Sequence, residues 1–248
     1  MNKLKNLKLW KKILIILAAV LIAGGIACAV YINDYYHADS AALETIENPV
    51  QGISVFETEN SSIVFEPENP RAGMIFYPGG KVQYEAYAPL MEACAQRGIL
   101  CVLVHMPGNL AVLDINAADG IPDKYPEIEH WYMAGHSLGG SMAASYLAGH
   151  TDEFDGLILL AAYSVKDLSE TDLAVLSVYG SEDGVLKMDS YEKYRGNLPD
   201  DFTESVIPGG CHAYFGSYGP QDGDGSPEIS NEDQIRLTAA AIEDFLIF

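Results

Sequence analysis

Five apolar runs, spaced along the chain and separated by stretches of helical periodicity, constrain this fold more than any other feature. They are Gly73–Tyr77 (GMIFY), Ile99–His105 (ILCVLVH), Trp131–Ala134 (WYMA), Gly156–Ala162 (GLILLAA) and Leu173–Tyr179 (LAVLSVY). A strand with one wet face alternates apolar and polar residues. A run without alternation needs cover on both faces, which is the condition of a parallel sheet flanked by helices. Helical spacing appears at Tyr84–Arg97, Ala117–Lys124, Leu138–Leu147 and Met188–Asn197. Pro89 predicts a kink or a later start in the first of these. A last helix is expected over Glu232–Leu246, with Ser230 as its N-cap. Short strands at Ile53–Phe56 and Ser62–Phe65 lead the series, and Phe202–Ile207 ends it. The expected class is α/β, with a mostly parallel, doubly wound sheet. Ligands in such sheets bind beyond the C-terminal ends of the strands.

The N-terminal region reads differently. Ile13–Ile32 is uncharged throughout, and as a helix its twenty residues cover about 30 Å, the hydrocarbon thickness of a bilayer. Lys3, Lys5, Lys8, Lys11 and Lys12 precede it. That asymmetry favours a cytoplasmic N-terminus and places the following domain on the extracellular side. The expected plan is a basic segment at 1–12, a transmembrane anchor or signal at 13–32, a polar stem at 33–50 with helical character near Ala41–Ile46, and one domain at 51–248. A cleaved signal is the competing reading of the same pattern. So is lipid attachment at Cys28, although Gly25 stands where a lipoprotein site carries a leucine-like residue.

Charge narrows the partners. Those five lysines leave nine basic residues against 35 acidic ones in the rest of the chain. So acidic a body repels nucleic acid and anionic surfaces, so no nucleic-acid partner is expected. A hydrophobic content of 49 % excludes disorder. With Cys28 in the apolar run, Cys94, Cys101 and Cys211 remain, too few for a disulfide framework and without metal-ligand spacing. The Asp222–Ser226 stretch (DGDGS) half matches a calcium loop, but Pro227 stands where an EF-hand has glycine. No metal or cofactor is expected, and the oligomeric state is left open.

Between the third apolar run and the following helix lies Gly135-His136-Ser137-Leu138-Gly139. A G-x-S-x-G sequence in a strand-to-helix turn lifts the serine hydroxyl to the sheet edge, and the new helix aims its amides at the same point. A serine is a weak nucleophile without a base. His212 follows the last strand and precedes the last helix. His37, His105, His130, His136 and His150 lack that placement, and His136 should point away from the serine. The loop after Tyr179 offers Glu182 and Asp183, and Asp183 is preferred because Gly184 follows it. The order Ser137, Asp183, His212 then fits nucleophile, acid and base. An oxyanion hole needs two amides. Leu138 supplies one, and the Phe76–Val82 loop (FYPGGKV) supplies the other, from Gly80 first or Lys81 next.

These segments, taken with "MPGNLAVL", "GHSLGGSMAA", "LILLAAYSVKDL", "VYGSEDGV" and "GGCHAYFGSYGPQDGDG", resemble the α/β-hydrolase superfamily from about Ile53 to Phe248. The likeness is strongest to a group of small bacterial members that are often membrane-anchored. It implies Ser137 as nucleophile, Asp183 as acid and His212 as base. Cys211 and Tyr214 depart from that group, whose members often carry asparagine and glutamine there. Such changes bear on the pocket rim and leave the triad intact.

The expectation is therefore a serine hydrolase acting on a carboxylic ester or related acyl compound. Acyl transfer by the same residues and a non-catalytic ligand-binding surface protein are the alternatives. Lys81, Asn109, Tyr163 and Tyr214 are candidate substrate contacts. Only 29 positions separate Asp183 from His212, which leaves little room for a cap. An open pocket for small or protruding acyl groups follows.

Overall fold

β-Branched and aliphatic residues that fit a pleated surface on both faces dominate the centre of this chain, and they assemble there into one sheet. The computed structural model describes residues 8–246. Its strands are β1 Ile53–Glu57, β2 Ile63–Pro67, β3 Ala72–Tyr77, β4 Ile99–Leu103, β5 Trp131–His136, β6 Gly156–Leu160, β7 Ala174–Gly180 and β8 Thr203–Ile207. They lie in the order β1-β2-β4-β3-β5-β6-β7-β8. The β1–β2 and β2–β4 pairs are antiparallel, and every later pair is parallel. The expected α/β class and mostly parallel sheet are thus found. Strands β3, β4, β5 and β6 are buried at every position, matching their lack of alternation.

The helices are α1 Leu9–Asn33, α2 Ser40–Glu47, α3 Ala88–Ala95, α4 Leu138–Leu147, α5 Met188–Tyr194 and α6 Asn231–Phe245. Two apolar layers separate across the sheet. Phe65, Met74, Phe76, Leu90, Met91 and Ile242 pack on one face, and Ile75, Tyr77, Met133, Leu147 and Leu159 on the other. The Tyr84–Arg97 segment divides into a 3₁₀ turn at Tyr84–Tyr87 and then α3, which has Pro89 in its first turn. That is the later start proline permits, because the first-turn N–H groups have no partner within the helix. The helix expected over Ala117–Lys124 does not form. Gly120 sits at φ 66° and Pro122 follows, so only a 3₁₀ turn at Pro122–Lys124 survives.

The chain divides into two compact units, with the boundary between Tyr35 and Tyr36. In the first, α1 is long and apolar enough to cross a membrane, with a mean hydropathy of 2.9 and no buried residue. Of the basic segment, Lys3 and Lys5 lie outside the described residues, as do Ile247 and Phe248 of the domain. In the second unit, residues expected as a stem pack onto the domain, with α2 against α3 and the 3₁₀ turn at Tyr84–Tyr87. Asp39 caps α2 by accepting from the Ala42 amide at 2.9 Å, and Ala42 is fully buried.

Candidate active site

Ser137 follows β5 and takes the N-cap position of α4 with φ 52° and ψ −121°, a conformation that strains any residue with a Cβ. Glycines make the turn possible. A Cβ on Gly135 would lie 2.6 Å from the Gly139 carbonyl carbon, and one on Gly139 would collide with the Tyr77 and Pro78 oxygens. Strand and helix therefore approach backbone to backbone, and the serine is the residue pushed outward. The Ser137 amide is anchored to the Leu160 oxygen at 2.9 Å. A glycine at 137 loses this strain, whereas alanine keeps it. Ser137→Gly is expected to melt about 3 °C or more above Ser137→Ala, from roughly 1 kcal/mol of relieved strain or more. Thermal unfolding of the two variants checks this.

His212 and Asp183 meet behind the serine. His212 Nδ1 lies 2.9 Å from Asp183 Oδ2, and both side chains are only 2 % exposed. The other carboxylate oxygen accepts from the Val185 and Leu186 amides at 2.9 and 2.8 Å, which fixes the carboxylate plane. Glu182, the alternative acid, instead accepts from its neighbour Ser181 at 2.9 Å. The carboxylate at Nδ1 favours the tautomer with its proton there, which leaves Nε2 as the acceptor nitrogen. His212 Nε2 is buried and makes no hydrogen bond in the structure. His212 and Ser137 line the same cavity of about 240 Å³, together with Leu138, Ser141, Ala161, Ala162, Tyr163, Val185, Leu186 and Lys187.

In the Phe76–Val82 loop two of the three candidate amides have partners. The Gly79 amide donates to Tyr87 Oη at 3.0 Å, and the Lys81 amide to the Asn109 oxygen at 2.8 Å. Gly80 lies between them and presses on Leu138, since a Cβ there would come 2.8 Å from Leu138 Cδ2. Leu138 opens α4, where amides have no acceptor within the helix. Gly80 thus lies beside Leu138 at the start of α4.

Of the candidate substrate contacts, Tyr163 lines the cavity and stacks on Tyr194 at 5.5 Å. Lys81, Asn109 and Tyr214 are not among the residues lining it. Asn109 holds the Phe76–Val82 loop through its carbonyl, and the Tyr214 carbonyl accepts from Asn231 Nδ2 at 3.1 Å. A larger cavity of about 400 Å³, lined by Ser62, His105, Asp114 and Lys124 among others, contains no member of the Ser137–Asp183–His212 set. Among the described residues, no cluster of histidine, cysteine and carboxylates could hold a metal ion.

Two residues that position the histidine were not singled out by sequence. Asp224 accepts from the amides of His212 and Gly184 at 3.1 Å, Ala213 at 2.8 Å and Gly225 at 2.8 Å. It ties the His212 loop to the loop after β7 that carries Asp183 and Gly184. Partial burial pushes its pKa up, but the four amides outweigh that and hold it below the usual carboxylate value. Gln234, fully buried in α6, accepts from the Cys211 amide at 2.9 Å and donates to its carbonyl at 2.7 Å. The signal for Asp224 was the DGDG sequence. A Cβ on Gly225 would collide with the Glu182 carbonyl, so that glycine admits the two loops to contact.

Asp224→Asn is expected to lower kcat about tenfold or more, because an amide NH₂ then faces the N–H donor that one carboxylate oxygen now accepts from. The depressed pKa also adds stability that is complete above about pH 4, the unfolded carboxylate value, and is lost as pH falls through the folded value. Acid titration of wild type and variant should therefore differ most above pH 4 and converge below it.

Two neighbours bear on the histidine's chemistry. The His136 ring lies 4.5 Å from that of His212, with its Nδ1 2.8 Å from Tyr87 Oη. Complete burial, and then the nearby His212, keep its pKa well below the usual value, against a backbone interaction with His212 that raises it. His136 is thereby held neutral beside His212. Burial pushes the Cys211 thiol up to about 12, which keeps it in the unreactive thiol form near neutral pH.

A doubly wound sheet with a strained serine turn after β5, a carboxylate after β7 and a histidine after β8 defines an α/β hydrolase. Residues 73–236 match the Alpha/beta hydrolase family, and the chain belongs to that family. No curated protein matches it. Among solved structures, a thermostable esterase from Pseudomonas putida is similar at a TM-score of 0.60 and 15% identity, over 84% of this chain and 88% of that one. Carboxyl esterase 2 from the fungus Tuber melanosporum gives 0.60 and 9%, over 86% and 92%. A dienelactone hydrolase from Anabaena variabilis gives 0.57 and 13%, over 79% and 100%. At these identities the likeness is one of fold.

Proposed function

We propose that this hydrolase cleaves a carboxylic ester or related acyl compound through an acyl-enzyme on Ser137, with His212 as base and Asp183 as its orienting acid. The observation that carries the reading is the buried His212–Asp183 pair, in which His212 Nε2 is unbonded, with His212 lining the same cavity as the strained Ser137. In this mechanism Ser137 Oγ attacks the carbonyl carbon while its proton passes to His212 Nε2. The Gly80 and Leu138 amides hold the oxyanion. Collapse expels the alcohol, which takes the proton from His212. Water then attacks the acyl-enzyme, gives a proton to His212, and the acid leaves as Ser137 recovers its own.

Ala161 and Ala162 beside a cavity of about 240 Å³ favour a short acyl group. Turnover of p-nitrophenyl acetate, butyrate, octanoate and palmitate by the full-length chain tests the reading. Fastest turnover of the two short esters is expected, and no turnover of any of them would contradict it. The length and apolarity of α1, with lysines before it, support a single-pass anchor that leaves the catalytic unit on the extracellular side. Secretion or lipid attachment after cleavage is the competing arrangement. Protease protection in intact cells and N-terminal sequencing of the mature chain separate the two.

A further inference from the structure

Tyr36 opens the second compact unit, and it lies against both loops that the proposed chemistry depends on. Its amide donates to the Lys81 carbonyl at 2.8 Å, and its carbonyl accepts from the Gln83 amide at 2.9 Å. Together these form an isolated parallel bridge to Val82, two residues past the Gly80 amide. Two residues on, the Ala38 amide donates to Gln83 Oε1 at 3.1 Å. The oxyanion loop is thus held on one side by Asn109 and on the other by the chain leading out of α1.

The side chain of Tyr36 points to the other half of the site. Its ring packs on Tyr218 at 5.6 Å, and its hydroxyl accepts from the Asp222 amide at 3.1 Å. Both partners lie between His212 and Asp224, in the loop whose far end returns to grip the His212 amide. The Asp39 amide adds a bond to the Ser217 carbonyl at 2.9 Å. Tyr36 therefore contacts the oxyanion loop through its backbone and the base loop through its side chain.

We infer that Tyr36 is a positioning residue for this hydrolase. It fixes the spacing between the oxyanion amides and His212, and the catalytic unit begins at Tyr36 rather than at the sheet. The inference rests on the serine-hydrolase reading. It implies that N-terminal processing compatible with full activity must cut before Tyr36. A site displaced by a fraction of an ångström binds substrate nearly as well but reacts more slowly, because the lost contacts are those of the transition state.

The test uses the full-length chain in detergent with p-nitrophenyl butyrate, comparing wild type, Tyr36→Ala and Tyr36→Phe. Each is titrated with a fluorophosphonate, so that rates are expressed per reactive serine. Tyr36→Ala is expected to lower kcat per titrated site about tenfold, with KM within about twofold. Tyr36→Phe, which keeps the ring on Tyr218 and loses only the hydroxyl, should fall between the two, with kcat per site about threefold below wild type. A purely structural role would lower the melting temperature or the titratable fraction and leave kcat per site unchanged. That result for Tyr36→Ala overturns the inference. If Tyr36→Ala does not fold, Tyr36→Phe decides, since its hydroxyl is the only group lost. A kcat reduced about threefold then supports the inference, and wild-type kcat per site overturns it. Wild type that neither turns over ester nor takes up the phosphonate refutes the serine-hydrolase reading itself, and the inference falls with it.

Discussion

Ser137→Ala should reduce ester turnover by about 10⁴-fold or more while the protein remains folded. The fold is expected to survive because alanine carries the same Cβ at the same strained backbone and leaves every glycine contact of the turn in place. The chemistry is expected to fail because the reaction loses the atom that forms the acyl-enzyme, and Cys211, held up to about 12, offers no substitute. A residual rate above background is also expected, since the Gly80 and Leu138 amides can still stabilise an oxyanion formed by direct attack of water. Steady-state rates with p-nitrophenyl butyrate, beside thermal melts of both proteins, check the prediction. Turnover within about tenfold of wild type would require another nucleophile.

Asp183→Asn should cost about 10³- to 10⁴-fold in kcat with little change in KM. The carboxylate now accepts from three groups: His212 Nδ1–H through one oxygen and the Val185 and Leu186 amides through the other. An asparagine keeps the amide bonds through its oxygen, but its NH₂ then faces His212 Nδ1. That reverses the tautomer and puts the proton on Nε2, the nitrogen that must receive the Ser137 proton. Glu182→Gln is the matched control. It removes a charge one residue away, from a side chain that accepts from Ser181, and it should leave kcat within about twofold. Equal losses in the two variants would mean that the local negative charge, not the tautomer, is what matters.

Much of this was legible in the sequence because the strongest constraints are local. The unbroken apolar runs specify buried parallel strands, and Gly135 and Gly139 flank Ser137 because two backbones must meet there. Local chemistry also set the limits. Ala117–Lys124 has helical composition, but Gly120 and Pro122 decide its conformation. Asp224 looked like one acidic residue in a polar loop, because its four amide partners come from segments up to 40 positions away. The same applies to Tyr36. Polar composition around it suggested a stem, and only tertiary structure brings it to Val82 and Asp222. Asn109 follows a loop after β4, as expected, yet it acts on the oxyanion loop through its backbone, which side-chain chemistry could not reveal.

The central claim is that Ser137 is a nucleophile activated by the buried His212–Asp183 pair. Its most direct test is to react wild type, Ser137→Ala and His212→Ala with a fluorophosphonate and locate the adduct by mass spectrometry of peptides. One adduct per chain on Ser137 is expected in wild type, with none in Ser137→Ala and labelling at least about 10²-fold slower in His212→Ala. An adduct on any other residue, or equal labelling of all three proteins, would contradict it.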